Sequence, residues 1–222
     1  KLLDIKVLVH QQDIRPGLAN KLMAPCASIV TTVFEKSLLD YGEKARWVGN
    51  PIRSAFKNLS PKETKNNQIL VLGGGTGSES LNRFVKNNIE KILEFSTVVH
   101  ITGKHDVKSE LKNDVPGYQS YDLLDTVHVA KAMLGAELVV TRAGLGTLSE
   151  LSYLGKATII IPIPHSHQED NARYFAAQEA AFVLDQEYLN DEVFVGALKK
   201  LILNPELRTK LASNMKQAMK QG

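Results

Sequence analysis

Five apolar runs constrain this chain more than any other feature. At 69–72, 97–102, 138–141, 157–163 and 182–184, Val, Ile and Leu dominate with little polar alternation. A strand with one wet face alternates polar and apolar residues, whereas a solid apolar run has to be covered on both faces. The segments between these runs have helical period. From near Ser78, the residues Leu81, Phe84, Val85 and Ile89 fall on one helix face, and a second such segment covers 127–135. Strands alternating with helices in this way form a parallel sheet joined by right-handed crossovers. The fold class is therefore α/β, with a Rossmann-like, doubly wound domain over 69–190.

The residues before it read differently. A short strand ends at His10, a polar turn carries Pro16 and Gly17, and a helical stretch covers 18–27. Strands follow at 29–33 and near Trp47-Val48, where Gly49-Asn50-Pro51 breaks the run. Residues 1–50 are too few to build their own core, and the chain opens at Lys1 directly into an apolar run, so it reads as a fragment. Residues 51–68 form a linker, polar and rich in Lys and Asn toward its end around Pro61. Residues 191–222 form two helices split by Asn204-Pro205.

Composition supports these assignments. The chain is 43% hydrophobic but only 6% aromatic, which suits aliphatic sheets under helices better than an aromatic-rich sandwich. Cys26 is the single cysteine and excludes an internal disulfide; with no signal peptide or long apolar run, the chain is expected to be soluble and cytoplasmic. A net charge of +3 is too mild to point to nucleic acid. The basic tail (Arg208, Lys210, Lys216, Lys220) alternates with Leu207, Leu211, Met215 and Met219, a pattern of an amphipathic helix. It suits an anionic membrane surface or packing on its own protein, and packing is the favoured reading.

In doubly wound sheets ligands bind beyond the carboxyl ends of the strands, so three loops matter most. Gly73-Gly74-Gly75-Thr76-Gly77 follows the first run and precedes a helix whose N-terminus can take an anion. The same glycines also suit a sharp strand-to-helix turn on conformational grounds alone. Their spacing is neither that of a P-loop nor that of a full dinucleotide fingerprint. Thr141-Arg142-Ala143-Gly144-Leu145-Gly146-Thr147 leads into a helix expected from Leu148. There Thr147 and Glu150 fit a capping box, and Glu150 equally suits the two hydroxyls of a ribose. The third loop runs from Pro162 to Ala172, and its His167, Gln168 and Asn171 offer donors and acceptors for sugar hydroxyls. His165, His167, Glu169 and Asp170 make a metal conceivable, but the spacing lacks convergence; no metal and no cofactor are expected.

Together these motifs resemble glycosyltransferase family 28, the MurG family. The resemblance rests on His10-Gln11-Gln12-Asp13, Pro16-Gly17-Leu18-Ala19-Asn20, Gly49-Asn50-Pro51-Ile52-Arg53, Gly73 to Gly77, Arg142-Ala143-Gly144, Thr147 to Glu150, and His167 to Ala172. It implies a GT-B architecture: a complete C-terminal Rossmann-like domain preceded, in 1–50, by the end of an N-terminal, acceptor-side one. It implies a donor site of Asp13, Arg53 on a phosphate, Gly74, Gly75, Thr76, Gly77, Leu124 at the uracil, Arg142, Ala143, Gly144, the segment Leu145, Gly146, Thr147, Leu148, Ser149, Glu150 on phosphate and ribose, Gln168 on the sugar, and Asn171. Gln11, Asp13 and Gly75 depart from the family's Glu, Asn and Ser. The family's own N-terminal glycine loop and catalytic-base candidate lie upstream of Lys1.

What the resemblance implies is inverting, metal-independent transfer of N-acetylglucosamine from UDP-N-acetylglucosamine to a lipid-linked muramyl-pentapeptide, at the cytoplasmic face of the inner membrane as a peripheral protein. His10 is the base candidate within the chain, with a positioning or structural histidine as the alternative. The competing functions are transfer to another glycolipid, UDP-N-acetylglucosamine 2-epimerisation, and a non-catalytic donor-binding subunit completed by a partner chain.

Overall fold

The computed structural model describes residues 5–59, 67–74, 77–103 and 115–220. Strands β1 (Leu8–Gln11), β2 (Ile29–Thr32) and β3 (Ala45–Trp47) pair in parallel in that order, with helix α1 (Leu18–Met23) between the first two. The one-turn helix α2 (Ser54–Lys57) follows. A larger sheet is then built from β4 (Gln68–Leu72), α3 (Glu79–Leu93), β5 (Thr97–Ile101), β6 (Tyr118–Tyr121), α4 (Thr126–Gly135), β7 (Leu138–Thr141), α5 (Leu145–Leu154), β8 (Thr158–Ile160), α6 (His167–Ala177) and β9 (Phe182–Val183). Helices α7 (Asp191–Ile202) and α8 (Pro205–Gln217) close the chain.

The larger sheet is parallel throughout, in the order β6-β5-β4-β7-β8-β9. The chain steps outward from β4 to one edge and returns to β7 on the other side of β4. The loops after β4 and β7 therefore diverge and leave a crevice at the reversal. Every residue of these two strands is buried, which is why their runs are solidly apolar. Successive residues supply opposite faces, as a strand's two-residue period requires. Leu70, Leu72, Val139 and Ile160 join one core, and Ile69, Val71, Leu138, Val140 and Ile159 the other. Ile14, Val33, Phe34, Ile52 and Phe56 from the first part of the chain also belong to the first of these cores.

Several elements differ from the sequence expectations for local reasons. The stretch 18–27 is α1 followed by a 3₁₀ turn at Ala24–Cys26, since Pro25 has no N–H to continue the α ladder. The run 157–163 yields the short strand β8 with one further ladder bond at each end, from Val139 N to the Ala157 carbonyl and from Ile161 N to the Thr141 carbonyl, and donation stops at Pro162, which has no N–H. Strand β6, with the sequence Tyr-Gln-Ser-Tyr, has no apolar run to announce it; it is the sheet's edge, and only Tyr118 is buried. Helix α5 begins at Leu145 rather than Leu148.

The basic tail packs on the protein. Helix α8 buries Leu211 and Met215, and just beyond it Ala218 and Met219 are buried too. Tyr174 Oη donates to the Ala218 carbonyl at 3.0 Å, and Lys220 Nζ reaches the Trp47 carbonyl at 3.0 Å and lies 4.9 Å from the Trp47 ring centroid. The last helix thus returns to the first sheet. Among the described residues no helix is long and apolar enough to cross a membrane.

Candidate functional site

At the reversal of strand order the glycine loop, the loop after β7 and the start of α6 converge on one cavity of about 560 Å³. Gly73, Gly74, Gly77, Ser78 and Ser80 form one wall; Arg142, Gly144, Leu145, Gly146 and Thr147 form the second; Ile163 and Gln168 form the third. Both proposed uses of the first loop's glycines have a share. A β-carbon on Gly73 would stand 2.4 Å from Ser78 N, and Gly77 combines a φ of +81° with Thr102 O only 2.3 Å from where a β-carbon would go. Those two are required by the turn itself. Gly74, at φ +85°, faces open space. Gly75 and Thr76 lie outside the described residues.

The second loop differs in kind, because Gly144 and Gly146 have open space where a side chain would be and neither has a positive φ. Gly144 is the N-cap of α5 and offers no capping side chain. The N–H groups of the first turn, from Leu145, Gly146 and Thr147, have no intrahelical acceptor and point along the axis, where the helix dipole favours an anion. Thr147 lies inside this turn, so the expected capping box with Glu150 does not form. Leu148 is wholly buried in the core, and Ser149 donates back to the Leu145 carbonyl at 2.6 Å.

Glu150, 5% exposed, receives a two-pronged ion pair from Arg53: Nε to Oε1 at 2.5 Å and Nη2 to Oε2 at 2.9 Å. Arg53 Nη1 also donates to Thr126 Oγ1 at 3.1 Å, and the bond to Glu150 holds the guanidinium's pKa above its ordinary value. Asp125 next to Thr126 caps α4 by accepting from His128 N, and that bond, with one from the His128 ring, lowers its carboxyl. Leu124 packs against the first core, and neither it nor the Arg53–Glu150 pair lines the cavity, the pair standing beside it on the α2 side of α5.

Arg142 is a strut. Its guanidinium donates to Ser78 Oγ, the Ile161 and Pro162 carbonyls, Ser80 Oγ and Gln186 Oε1, at 2.5 to 3.1 Å. It ties the glycine loop to the end of β8, and these donors are taken by the protein rather than left for a ligand. Burial lowers it to about 10, leaving it charged at neutral pH, and no carboxylate pairs with it among the described residues. Its charge therefore acts on the cavity as a fixed positive field. Ser80 and Gln186, which complete this cradle, carried no sequence signal beyond being polar.

Two amides join the first sheet to these loops. Asn171 is fully buried: Nδ2 donates to Asp13 Oδ1 at 2.9 Å and to the Ala143 carbonyl at 3.1 Å, and Oδ1 accepts from Ile14 N at 3.2 Å. In this structure the Asn171 amide is filled by protein contacts. Gln168 Oε1 accepts from Ala143 N at 3.1 Å, so α6 holds residue 143 by both its N–H and its carbonyl. Gln168 lines the cavity, and its amide nitrogen has no partner among the described residues. Asn50 is the second tie. It donates to Ser149 Oγ at 2.8 Å and accepts from His10 Nε2 at 3.4 Å and Gln12 Nε2 at 3.3 Å. His10 Nδ1 meets Thr31 Oγ1 at 2.9 Å, so the ring links β1, β2 and Asn50. Asn50 stood in a motif without being singled out. Asp13 stands with His167 Nε2 at 3.9 Å, on the first sheet's side of α6.

A parallel sheet reversing between two glycine-bearing loops, with one helix N-terminus uncapped and a buried arginine beside it, makes a Rossmann-like domain with an anion-favouring crevice at its switch point, and its structural neighbours are GT-B glycosyltransferases. The model of the glycosyltransferase family 28 C-terminal domain matches residues 68–222, and the chain belongs to that family. It is 31% identical over 99% of its length to "UDP-N-acetylglucosamine--N-acetylmuramyl-(pentapeptide) pyrophosphoryl-undecaprenol N-acetylglucosamine transferase" of Pseudomonas syringae pv. syringae (strain B728a), and 30% identical over 97% of its length to the protein of the same name from Staphylococcus aureus (strain MRSA252). It spans 64% and 63% of those relatives' lengths. Among solved structures it resembles Acinetobacter baumannii MurG, with a TM-score of 0.74 at 26% identity over 97% of this chain and 63% of that one. The calicheamicin glycosyltransferase CalG4 shares the fold, with a TM-score of 0.63 at 15% identity over 86% of this chain and 48% of that one.

Proposed function

We propose that this chain binds UDP-N-acetylglucosamine in the crevice between β4 and β7 and serves transfer of N-acetylglucosamine to a lipid-linked muramyl-pentapeptide. The observation that carries the reading is the convergence of three strand-end loops on one cavity, with the uncapped α5 turn and the Arg142 charge on the same wall. The diphosphate lies on the Leu145, Gly146 and Thr147 amides, the ribose diol meets Glu150, and the Gln168 amide nitrogen donates to a sugar hydroxyl. The acceptor is the one for which the relatives are named.

The acceptor hydroxyl attacks the anomeric carbon with inversion as the bond to the diphosphate breaks. The α5 amides, Arg142 and Arg53 stabilise the charge that develops on the leaving UDP, so no metal is required for that task; a well-placed donor of this kind contributes about 3 kcal/mol. The protein works at the cytoplasmic face of the inner membrane as a peripheral enzyme. The division at 51–68, between an acceptor-side unit and the 69–190 donor unit, belongs to the same proposal.

Calorimetric titration of UDP and ADP into this chain in the presence of EDTA tests the donor site. UDP binding that exceeds ADP binding is expected, and binding that needs added metal overturns the metal-independent reading. Transfer is tested with a protein of the relatives' full length carrying this sequence, supplied with UDP-N-acetylglucosamine and the lipid-linked acceptor. Hydrolysis or epimerisation of the donor, with no disaccharide formed, would count against transfer.

A further inference from the structure

Two groups that the donor reading assigns to different parts of the nucleotide hold each other in this structure. Glu150 is assigned to the ribose and Arg53 to a phosphate, yet both Glu150 oxygens are taken by Arg53. The two partners are unequally placed. The Glu150 side chain is 6% exposed and sits inside α5, whereas the Arg53 side chain is 50% exposed, on the segment that enters α2. The carboxylate is enclosed by the helix, and the half-exposed guanidinium is the partner with solvent beside it. Arg53 also rests 5.2 Å from the Phe56 ring centroid and on Thr126 Oγ1, contacts that a rotating side chain can give up at small cost.

Resting on the donor-site reading, we propose that Arg53 is a specificity-determining latch: it closes over Glu150 in the free protein and is exchanged for the ribose diol only when a diphosphate is present to receive it. A buried carboxylate left without a partner is costly, so Glu150 has to keep either the guanidinium or a pair of hydroxyls. A nucleoside alone replaces a charged, two-pronged partner with two neutral hydroxyls and leaves Arg53 with nothing in return. A nucleoside diphosphate supplies both halves of the exchange: the diol takes Glu150, and the displaced guanidinium gains the diphosphate beside the α5 N-terminus. The ligand thus shifts the equilibrium of Arg53 only by its different affinity for the two positions, and that difference resides in the phosphates. The latch makes the site read the ribose and the diphosphate jointly.

The consequence is a pair of effects of opposite sign from one substitution. In Arg53→Ala, uridine no longer competes with a guanidinium and binds about threefold or more tightly than to the parent, whereas UDP loses its charged partner and binds about tenfold or more weakly. Ligand-observed NMR titration of uridine and calorimetry of UDP measure the two. 2′-Deoxyuridine, lacking the diol, gains nothing from the substitution. Arg53→Gln, which keeps a polar side chain near Thr126, carries the same expectation should Arg53→Ala lower the melting temperature. Uridine binding that is unchanged or weaker in both variants overturns the latch, as does an equal gain for 2′-deoxyuridine. Failure of the parent chain to bind UDP at all overturns instead the donor-site reading on which the latch rests.

Discussion

Gly146 separates the needs of folding from those of a ligand more cleanly than any other residue of the site. Its backbone is helical, no atom lies within 4 Å of where a β-carbon would stand, and the residue lines the cavity. Alanine is the better helix former by up to about 1 kcal/mol. Gly146→Ala is therefore expected to leave the melting temperature unchanged or raised, and to weaken UDP binding because the methyl group takes the space in which a phosphate approaches the α5 amides. Thermal denaturation and calorimetry on the same sample check the two halves. Gly73 is the contrast: its β-carbon would collide with backbone, so its replacement is expected to damage the fold itself. Composition treats these glycines alike, and their surroundings tell them apart.

Among elements, α6 does the most to give the site its shape, through the two side chains that hold residue 143. Asn171→Ala removes a buried amide and leaves Ile14 N–H and the Ala143 carbonyl without their partner, a loss of about 1 to 3 kcal/mol per orphaned group. Urea denaturation is expected to show that loss, and UDP affinity to fall with it, since the peptide before Gly144 is no longer held. Whether the element or the loop is read from sequence depends on the physics each uses. β4, β7 and the helix from Ser78 were legible because burial on both faces and a one-sided apolar stripe leave periodic marks. The three loops were legible because strand ends and glycine clusters mark where a backbone approaches a ligand. The start of α5 was misjudged because Thr147 and Glu150 mimic a capping box, while the real N-cap, Gly144, contributes no side chain. The roles of Arg142, Asn171 and His10 were hidden for a different reason. Their partners, Gln186, Asp13 and Asn50, lie far away in sequence, and no local pattern records a contact between distant residues.

At the scale of the whole molecule the two ends of the larger sheet carry different burdens. The carboxyl ends of the strands hold the cavity; the opposite end is stapled by Lys156, whose Nζ donates to the Leu134 and Ala136 carbonyls at 2.6 and 2.9 Å and so satisfies the end of α4. Nearby, Arg208 of α8 pairs with Glu137 at 2.8 Å. Burial lowers the Lys156 ammonium from 10.5 to about 8, against a smaller opposing pull from Glu137. Because the folded value lies below the unfolded one, the unfolded chain binds more protons between about pH 8 and pH 10.5, and stability gains from this lysine as pH rises through that window. Tyr41 and Tyr174 work in the opposite sense only above their ordinary value of 10.0, since burial raises both. Among the groups with a described shift, the interval from about pH 8 to about pH 9.5 therefore belongs to the lysine. Lys156→Met is expected to be less stable than the parent at every pH, for want of the two carbonyl bonds, and to lose the upward slope of melting temperature that the parent shows over that interval. A slope that survives in Lys156→Met assigns it to another group. UDP affinity is expected to change little with this substitution, because the staple and the cavity sit at opposite ends of the same strands.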